Sequence, residues 1–297
     1  MQIIFLGTSC AVPTKERNHS SFLLTYRDEG ILFDCGEGTQ RQLKFAGVKP
    51  TKITRVLISH WHGDHVLGLS GLIYTLGLCE YNQTLKIYGP IGTKRHLEKM
   101  LEATEDNARI KIEVKEVTKE GSFYEDDGFR LEAHKLEHRC PTLGYAFIEK
   151  DRRRINVDYV KKIGIPEGPL LGELQDGKTI EFKGKKITPE EATYIVKGKK
   201  IAYIADSLLC KGAYSLAKDA DLLIASSTYT SKDKEKAQEH IHMTAEEAGL
   251  VASKSNVKRL VLTHFSQRYK NIHELEEDAR NVFDNVTAAK DFMKIEL

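Results

Sequence analysis

An apolar, β-branched run that ends directly in three histidines and an aspartate constrains this chain more than any other stretch. Val56, Leu57 and Ile58 read as a buried strand, and Ser59-His60-Trp61-His62-Gly63-Asp64-His65 follows at once. On an extended or turning backbone, residues two apart project to the same side, so His60 and His62 converge on one point. Gly63 permits a sharp turn, after which Asp64 and His65 face a second point. Val66, Leu69, Leu72, Ile73 and Leu76 then recur at helical spacing, so the cluster lies between a strand end and a helix start. Three imidazoles and a carboxylate within six positions make a metal site.

Other apolar runs end in further donors. His138 ends KLEH, Asp206 ends IAYIAD and His264 closes LVLTH. A side chain at a strand end is fixed by rigid secondary structure yet aimed out of the sheet. Together with the opening cluster these residues give seven nitrogen and oxygen donors and no thiolate, an inventory that suits two ions, zinc foremost. His60, His62 and His138 are expected to hold one ion and Asp64, His65 and His264 the other. Asp206 is expected to bridge them, because a carboxylate has two oxygens. Two ions roughly 3.5–4 Å apart can activate a hydroxide and neutralise charge on an in-line displacement. His134, four residues before His138, is the main decoy, and His96 and His273 read as solvated on polar helix faces. His242 precedes Met243-Thr244-Ala245-Glu246, a helix start with Thr244 as cap. A histidine held there without metal can donate a proton to a leaving oxygen.

Strands alternate with helices along the chain, which gives an α/β class. GEGTQRQLKFAG predicts a helix with Thr39 as cap and Gly47 just past its end. The character changes from about 150 to 186, where DRRR, NVDYVKKIG and IPEGPLLGELQDG hold too few large apolar residues in register to be core. This stretch reads as an arm inserted into a single domain of 1–297. With Lys+Arg 45 against Asp+Glu 43 the chain is nearly neutral, so any basic footprint must be local. Arg152, Arg153, Arg154, Lys161 and Lys162 make the arm such a place, suited to phosphate contacts. Five scattered cysteines without C-x-x-C suggest a reduced, cytoplasmic protein. No apolar run approaches the roughly 18–20 residues of a membrane span, and MQIIFLG reads as a first strand rather than a signal peptide.

H-x-H-x-D-H with a later His, a bridging Asp and a final His resembles the metallo-β-lactamase superfamily of binuclear hydrolases. The match narrows further along the chain. FLGTS..AVPTKERN, FDCGEGTQRQL, SHWHGDHVLGLSGL, IPEGP..GEL, HMTAEEA and LVLTHFSQRY look like the tRNA 3′-processing endoribonuclease family, RNase Z, in family order over essentially the whole chain. The resemblance implies a four-layer αβ/βα sandwich with a protruding exosite arm, two zinc ions per subunit, and a homodimer acting on precursor tRNA. It implies cleavage that leaves a 3′-hydroxyl on the tRNA and a 5′-phosphate on the trailer. By position, Asp64 would orient or deprotonate the attacking water and His242 would assist the leaving 3′-oxygen. Lys15, Arg17 and Asn18 of the PTKERN loop would handle the acceptor end, and the arm around Gly168 and Pro169 would bind tRNA. The chain departs from the family mildly at Ser207, where Thr is usual, and more consequentially in one other place. Many members carry a Glu supporting the catalytic histidine, where this chain has Ala225-Ser226-Ser227-Thr228. Either Ser226 substitutes weakly or another group orients His242. The alternative reading is a binuclear zinc phosphodiesterase or esterase acting on small molecules.

Overall fold

The apolar runs that read as strands are buried on both faces, because each lies between a partner sheet and a layer of helices. The computed structural model describes residues 1–105 and 110–297. One seven-stranded sheet runs, edge to edge, Lys294–Glu296, Gln2–Gly7, Ser21–Tyr26, Glu29–Phe33, Arg55–Leu57, Thr84–Gly89 and Lys111–Glu116. Its first strands pair antiparallel and those from Glu29–Phe33 onward pair parallel. The second runs Val286–Ala288, Leu260–Thr263, Leu222–Ser226, Lys200–Ile204, Thr142–Glu149, Phe129–Leu136 and Gly121–Glu125.

Alternation along Gln2–Gly7 sorts its side chains between two cores. Phe5 packs on Phe22, and Phe22 in turn meets Tyr203 of the second sheet edge-on at 5.0 Å. Ile4 and Leu6 point the other way, into a cluster with Leu43 of helix Thr39–Phe45 and with Leu69, Leu72 and Leu76 of helix Leu69–Leu78. On the far side, helices Lys211–Ala217 and Ala245–Lys254 bury Leu216, Ala248 and Val251 against the second sheet. Each fully buried Leu or Val among these contributes roughly 1.5–3 kcal/mol. The layer order is helix, sheet, sheet, helix, the metallo-β-lactamase sandwich that the sequence resemblance implied.

Helix starts were partly legible. Thr244 caps Ala245–Lys254 through a reciprocal capping box with Glu247. Thr39 does not cap its helix. Gly38, at φ 77, is the N-cap, and the Thr39 hydroxyl instead donates to the Gly36 carbonyl at 2.7 Å. A left-handed cap there suits glycine alone at no steric cost.

The chain divides into two compact units, one of residues 1–124, 131–147 and 200–297, the other of 125–130 and 148–199. The second unit is wider than the stretch marked out by sequence. It holds a ribbon of Arg152–Ile155 with Thr193–Val196, helices Val157–Ile163 and Pro169–Gln175, and a hairpin of Ile180–Phe182 with Lys185–Ile187. Val160, Ile165, Leu174, Ile180, Ile187 and Ala192 give it a small core of its own, contrary to the expectation from their sparse spacing. Arg152 and Arg154 project from one face of the ribbon into solvent, while Arg153 on the other face bonds Glu190 and Thr193. Gly168 adopts φ 151 just before Pro169, which opens its helix.

Candidate metal centre

Strand Arg55–Leu57 ends three residues before His60, and the helical turn Gly63–Val66 follows His62, so the opening motif folds back on itself. Its side chains meet those carried by the strand ends of the second sheet. Nδ1 of His62 lies 3.0 Å from Nε2 of His60 and 3.3 Å from Nε2 of His138. Asp206 completes this group, with Oδ2 3.7 Å from the His60 nitrogen. In the neighbouring group, Nε2 of His65 faces Nε2 of His264 at 3.2 Å, and Asp64 Oδ2 lies 3.6 Å from the first and 3.3 Å from the second. Asp206 Oδ2 is 3.5 Å from His65 as well. A single oxygen of Asp206 therefore faces both groups. Its other oxygen accepts from the Ser226 hydroxyl at 3.1 Å and lies 2.9 Å from Nδ1 of His264. All seven donors expected from the sequence are brought together.

These residues fit divalent cations. Three imidazole nitrogens converging on one point leave lone pairs facing one another, and a shared hydrogen can satisfy only one pair. A cation at each point of convergence satisfies them all. The remaining nitrogens are held from behind, as ligating histidines require. His60 Nδ1 meets the Ser59 hydroxyl at 3.0 Å, His138 Nδ1 donates to the Ile241 carbonyl at 2.9 Å, and His264 Nδ1 meets the Ser226 and Thr228 hydroxyls. His65 Nδ1 donates to Asp34 Oδ2 at 2.8 Å.

Asp34 is the supporting residue that sequence reasoning missed. Its carboxylate, fully buried, also accepts from the Ser59 backbone and hydroxyl and from the Tyr203 phenol at 2.8 Å. The signal was present, since Asp34 ends the apolar strand ILFD just as Asp206 ends IAYIAD. Trp61 was missed as well, and His96 was read as solvated. The Trp61 indole donates to Thr93 and stacks on His96, which is therefore not simply solvated. Cys10 is a third omission: its sulfur lies within 4.8 Å of donor atoms of Asp64 and His264. His134 stays out of the cluster, 4.0 Å from Glu120.

Burial governs the protonation of the group. It drives the His60, His62 and His138 imidazoles below their ordinary range. Burial acts the same way on His65 and His264, but the facing carboxylates outweigh it and hold both well above that range. Asp206 shows the converse, its burial overridden by His264, His242 and His65, which keep it well below the usual carboxylate range.

His242 is pushed down to about 4, first by burial and further by His264 and His138, with Asp206 opposing. Its backbone N–H donates to Ala237, but its buried Nδ1 has no hydrogen-bond partner and lies 3.7 Å from Asp206 Oδ2. Ser226 is engaged with Asp206 and His264, so that hydroxyl does not orient this ring. In the loop 13–18, Lys15 is exposed beside an open cavity of about 530 Å³ that Arg41 and Phe45 also line. Arg17 is buried, with its guanidinium on the Tyr269 carbonyl, and the Asn18 amide donates to Glu37.

Comparison with known proteins places this arrangement. Residues 1–159 match the model of the anti-Pycsar protein Apyc1 family and residues 177–265 that of the β-lactamase superfamily domain. The chain is 40% identical to a ribonuclease Z of Crocosphaera subtropica over 311 residues, covering 100% of this chain and 98% of that one. It is 41% identical to a ribonuclease Z of Methanothermobacter thermautotrophicus over 298 residues, covering 100% and 97%. Among solved structures it resembles the short form of human tRNase Z, at 31% identity and a TM-score of 0.73, with 100% and 99% covered. The metallo-β-lactamase fold protein YhfI from Bacillus subtilis, at 20% identity and a TM-score of 0.72, shares the fold.

Proposed function

The chain belongs to the ribonuclease Z family, and on that premise we propose that it is a zinc-dependent endoribonuclease that removes the 3′ trailer from precursor tRNA. The observation that carries the chemistry is the convergence of seven buried or half-buried donors on two adjoining points. His60, His62 and His138 would hold one zinc ion and Asp64, His65 and His264 a second, with Asp206 Oδ2 between them. When bound, such ions supply Lewis acidity toward a phosphoryl oxygen and lower the pKa of water.

The chain's own residues do the rest. Asp64 Oδ2 is fixed by the Ala11 N–H at 2.7 Å, so it can orient an attacking water and accept its proton. His242, pushed down to about 4, is neutral near pH 7. It therefore serves the leaving 3′-oxygen as a neutral hydrogen-bond donor more than as a charged acid, a role that a depressed imidazole pKa permits. The products would be a 3′-hydroxyl on the tRNA and a 5′-phosphate on the trailer. Lys15, Arg17 and Asn18 belong to the loop assigned to the acceptor end; Lys15 is the one free to reach a phosphate, and Arg17 and Asn18 hold the loop in shape. Arg152, Arg153, Arg154, Gly168 and Pro169 lie in the second unit, which serves as the tRNA-binding arm of a homodimer in the cytoplasm. No helix among the described residues is long and apolar enough to cross a membrane.

End-mapping the products from a precursor tRNA, with and without chelator, tests the assignment. A single cut at the 3′ side, abolished by chelation and restored by zinc, is expected. Cleavage that survives chelation would sink it. For the arm, the double variant Arg152→Ala/Arg154→Ala should raise KM for precursor tRNA and leave hydrolysis of a small phosphodiester unchanged; an unaltered KM would remove these arginines from substrate binding.

A further inference from the structure

The loop after the first strand places a thiol where the donor inventory from sequence had none. Ser9 forms a bridge with Phe265, and the Cys10 N–H donates to the Phe265 carbonyl at 3.0 Å, which ties Cys10 to the residue following His264. The next residue, Ala11, donates its N–H to Asp64 Oδ2 at 2.7 Å. Cys10 is thus pinned from both sides, between the backbone beside one donor and the carboxylate of another. Both sides of the clamp use left-handed backbone at non-glycine residues, φ 53 at Ala11 and φ 62 at His264. Such conformations are uncommon outside glycine and persist only where surrounding contacts over-determine them. The consequence is that the Cys10 sulfur, the Asp64 carboxylate and the His264 imidazole lie within 4.8 Å of one another.

We propose that the Cys10 thiolate is a further ligand of the cation held by Asp64, His65 and His264, and that it biases this half of the site toward zinc over harder divalent ions. The proposal rests on the metal-centre reading above. A coordinating thiol gives up its proton to solvent as the ion enters, so binding through sulfur is deprotonating. Thiolate is a soft donor that favours zinc, whereas carboxylate, carbonyl and water suit magnesium and manganese. The charge count agrees. Asp64 and Asp206 alone offer two negative charges to two divalent ions, and a thiolate adds a third. None of the other cysteines is placed for this. Cys35 and Cys210 are buried elsewhere, Cys79 is exposed, and Cys140 lies 3.9 Å from Nε2 of His62, the nitrogen turned away from the donor cluster.

X-ray absorption at the zinc edge of the loaded protein reads the ligand directly. One sulfur scatterer at about 2.3 Å, shared over two ions, is expected in the native chain and none in Cys10→Ala. The cobalt-substituted protein should show a thiolate-to-cobalt charge-transfer absorption that Cys10→Ala abolishes, and the variant should lose part of its preference for zinc in competition with manganese. A native protein that binds two ions through nitrogen and oxygen alone overturns the proposal and leaves the metal centre standing. Failure to retain any divalent ion, measured by elemental analysis, overturns both. Thermal unfolding of unloaded Cys10→Ala beside the native chain separates loss of the ligand from loss of the fold.

Discussion

His60, His62 and His138 bring three nitrogens and share one carboxylate oxygen, whereas His65 and His264 sit among Asp34, Asp64 and Asp206. The two halves of the donor edge therefore answer to protons differently. Burial holds the first three imidazoles below their ordinary range, while the facing carboxylates hold the second two above it, so the second half keeps its protons more firmly when no cation is present. A cation entering the second half must displace protons, and one entering the first half need not. The surrounding chain follows this split except at one point: Asp34, Ser226 and Thr228 back the second half and the Ile241 carbonyl backs His138, while the Ser59 hydroxyl joins His60 to Asp34.

The largest effect should come from the residue the halves share. Asp206→Ala removes the oxygen facing both groups, and we expect loss of both ions with a fall in kcat/KM on precursor tRNA of about 10³-fold or more, in line with the several kcal/mol that metal ions supply to charge stabilisation. Elemental analysis reads it independently of activity, and retention of one ion per subunit would show that the halves load separately. Asp34→Asn should act mainly on the second half, because Asp34 bonds His65 directly and reaches His60 only through the Ser59 hydroxyl. It weakens the hold on His65 without touching a ligand, and a loss of roughly 10–100-fold in metal affinity is expected for such a supporting group. Equal loss from both halves would break the division drawn above. Each proton displaced makes affinity change about tenfold per pH unit, so metal titrations between pH 5.5 and 7.5 should show one steeper and one shallower site. Two equally steep sites would mean that the carboxylates do not protonate the second half.

Most of this edge was legible because strand ends announce themselves. Apolar β-branched runs stop, and the next polar residue is aimed out of the sheet, which found His138, Asp206 and His264 without any local motif. The same rule applies to Asp34, but its role as a support was not legible, because it depends on Tyr203 and Ser59 arriving from distant parts of the chain. Cys10 was invisible for a different reason. Its place is set by backbone hydrogen bonds to Phe265 and by the conformation of Ala11, and neither has a side-chain pattern. The second unit escaped because a small core needs only a few apolar residues, and those of 160–192 are too widely spaced for a periodicity to register.

Asp291 gives the comparison its sharpest control, since it is a partly buried carboxyl without imidazoles to hold it ionised. It accepts from the Thr8 hydroxyl, the Asn18 N–H and the Gln42 amide. Burial nevertheless outweighs these bonds and pushes it up to about 6. A folded-state value above the ordinary ~3.9 means that the folded chain binds this proton more tightly than the unfolded one. The stabilisation is complete below that ordinary value and is lost as pH rises through about 6. Asp206 has the opposite sign, stabilising above the ordinary value and losing its contribution as pH falls. For the unloaded protein we expect Asp291→Asn to remove a decline in stability of about 1–3 kcal/mol between pH 4 and 7, measured by denaturant midpoints. If the variant and the native chain follow the same curve over that range, the Asp291 carboxyl is ionised throughout, and its hydrogen bonds and the Arg17 charge outweigh its burial after all.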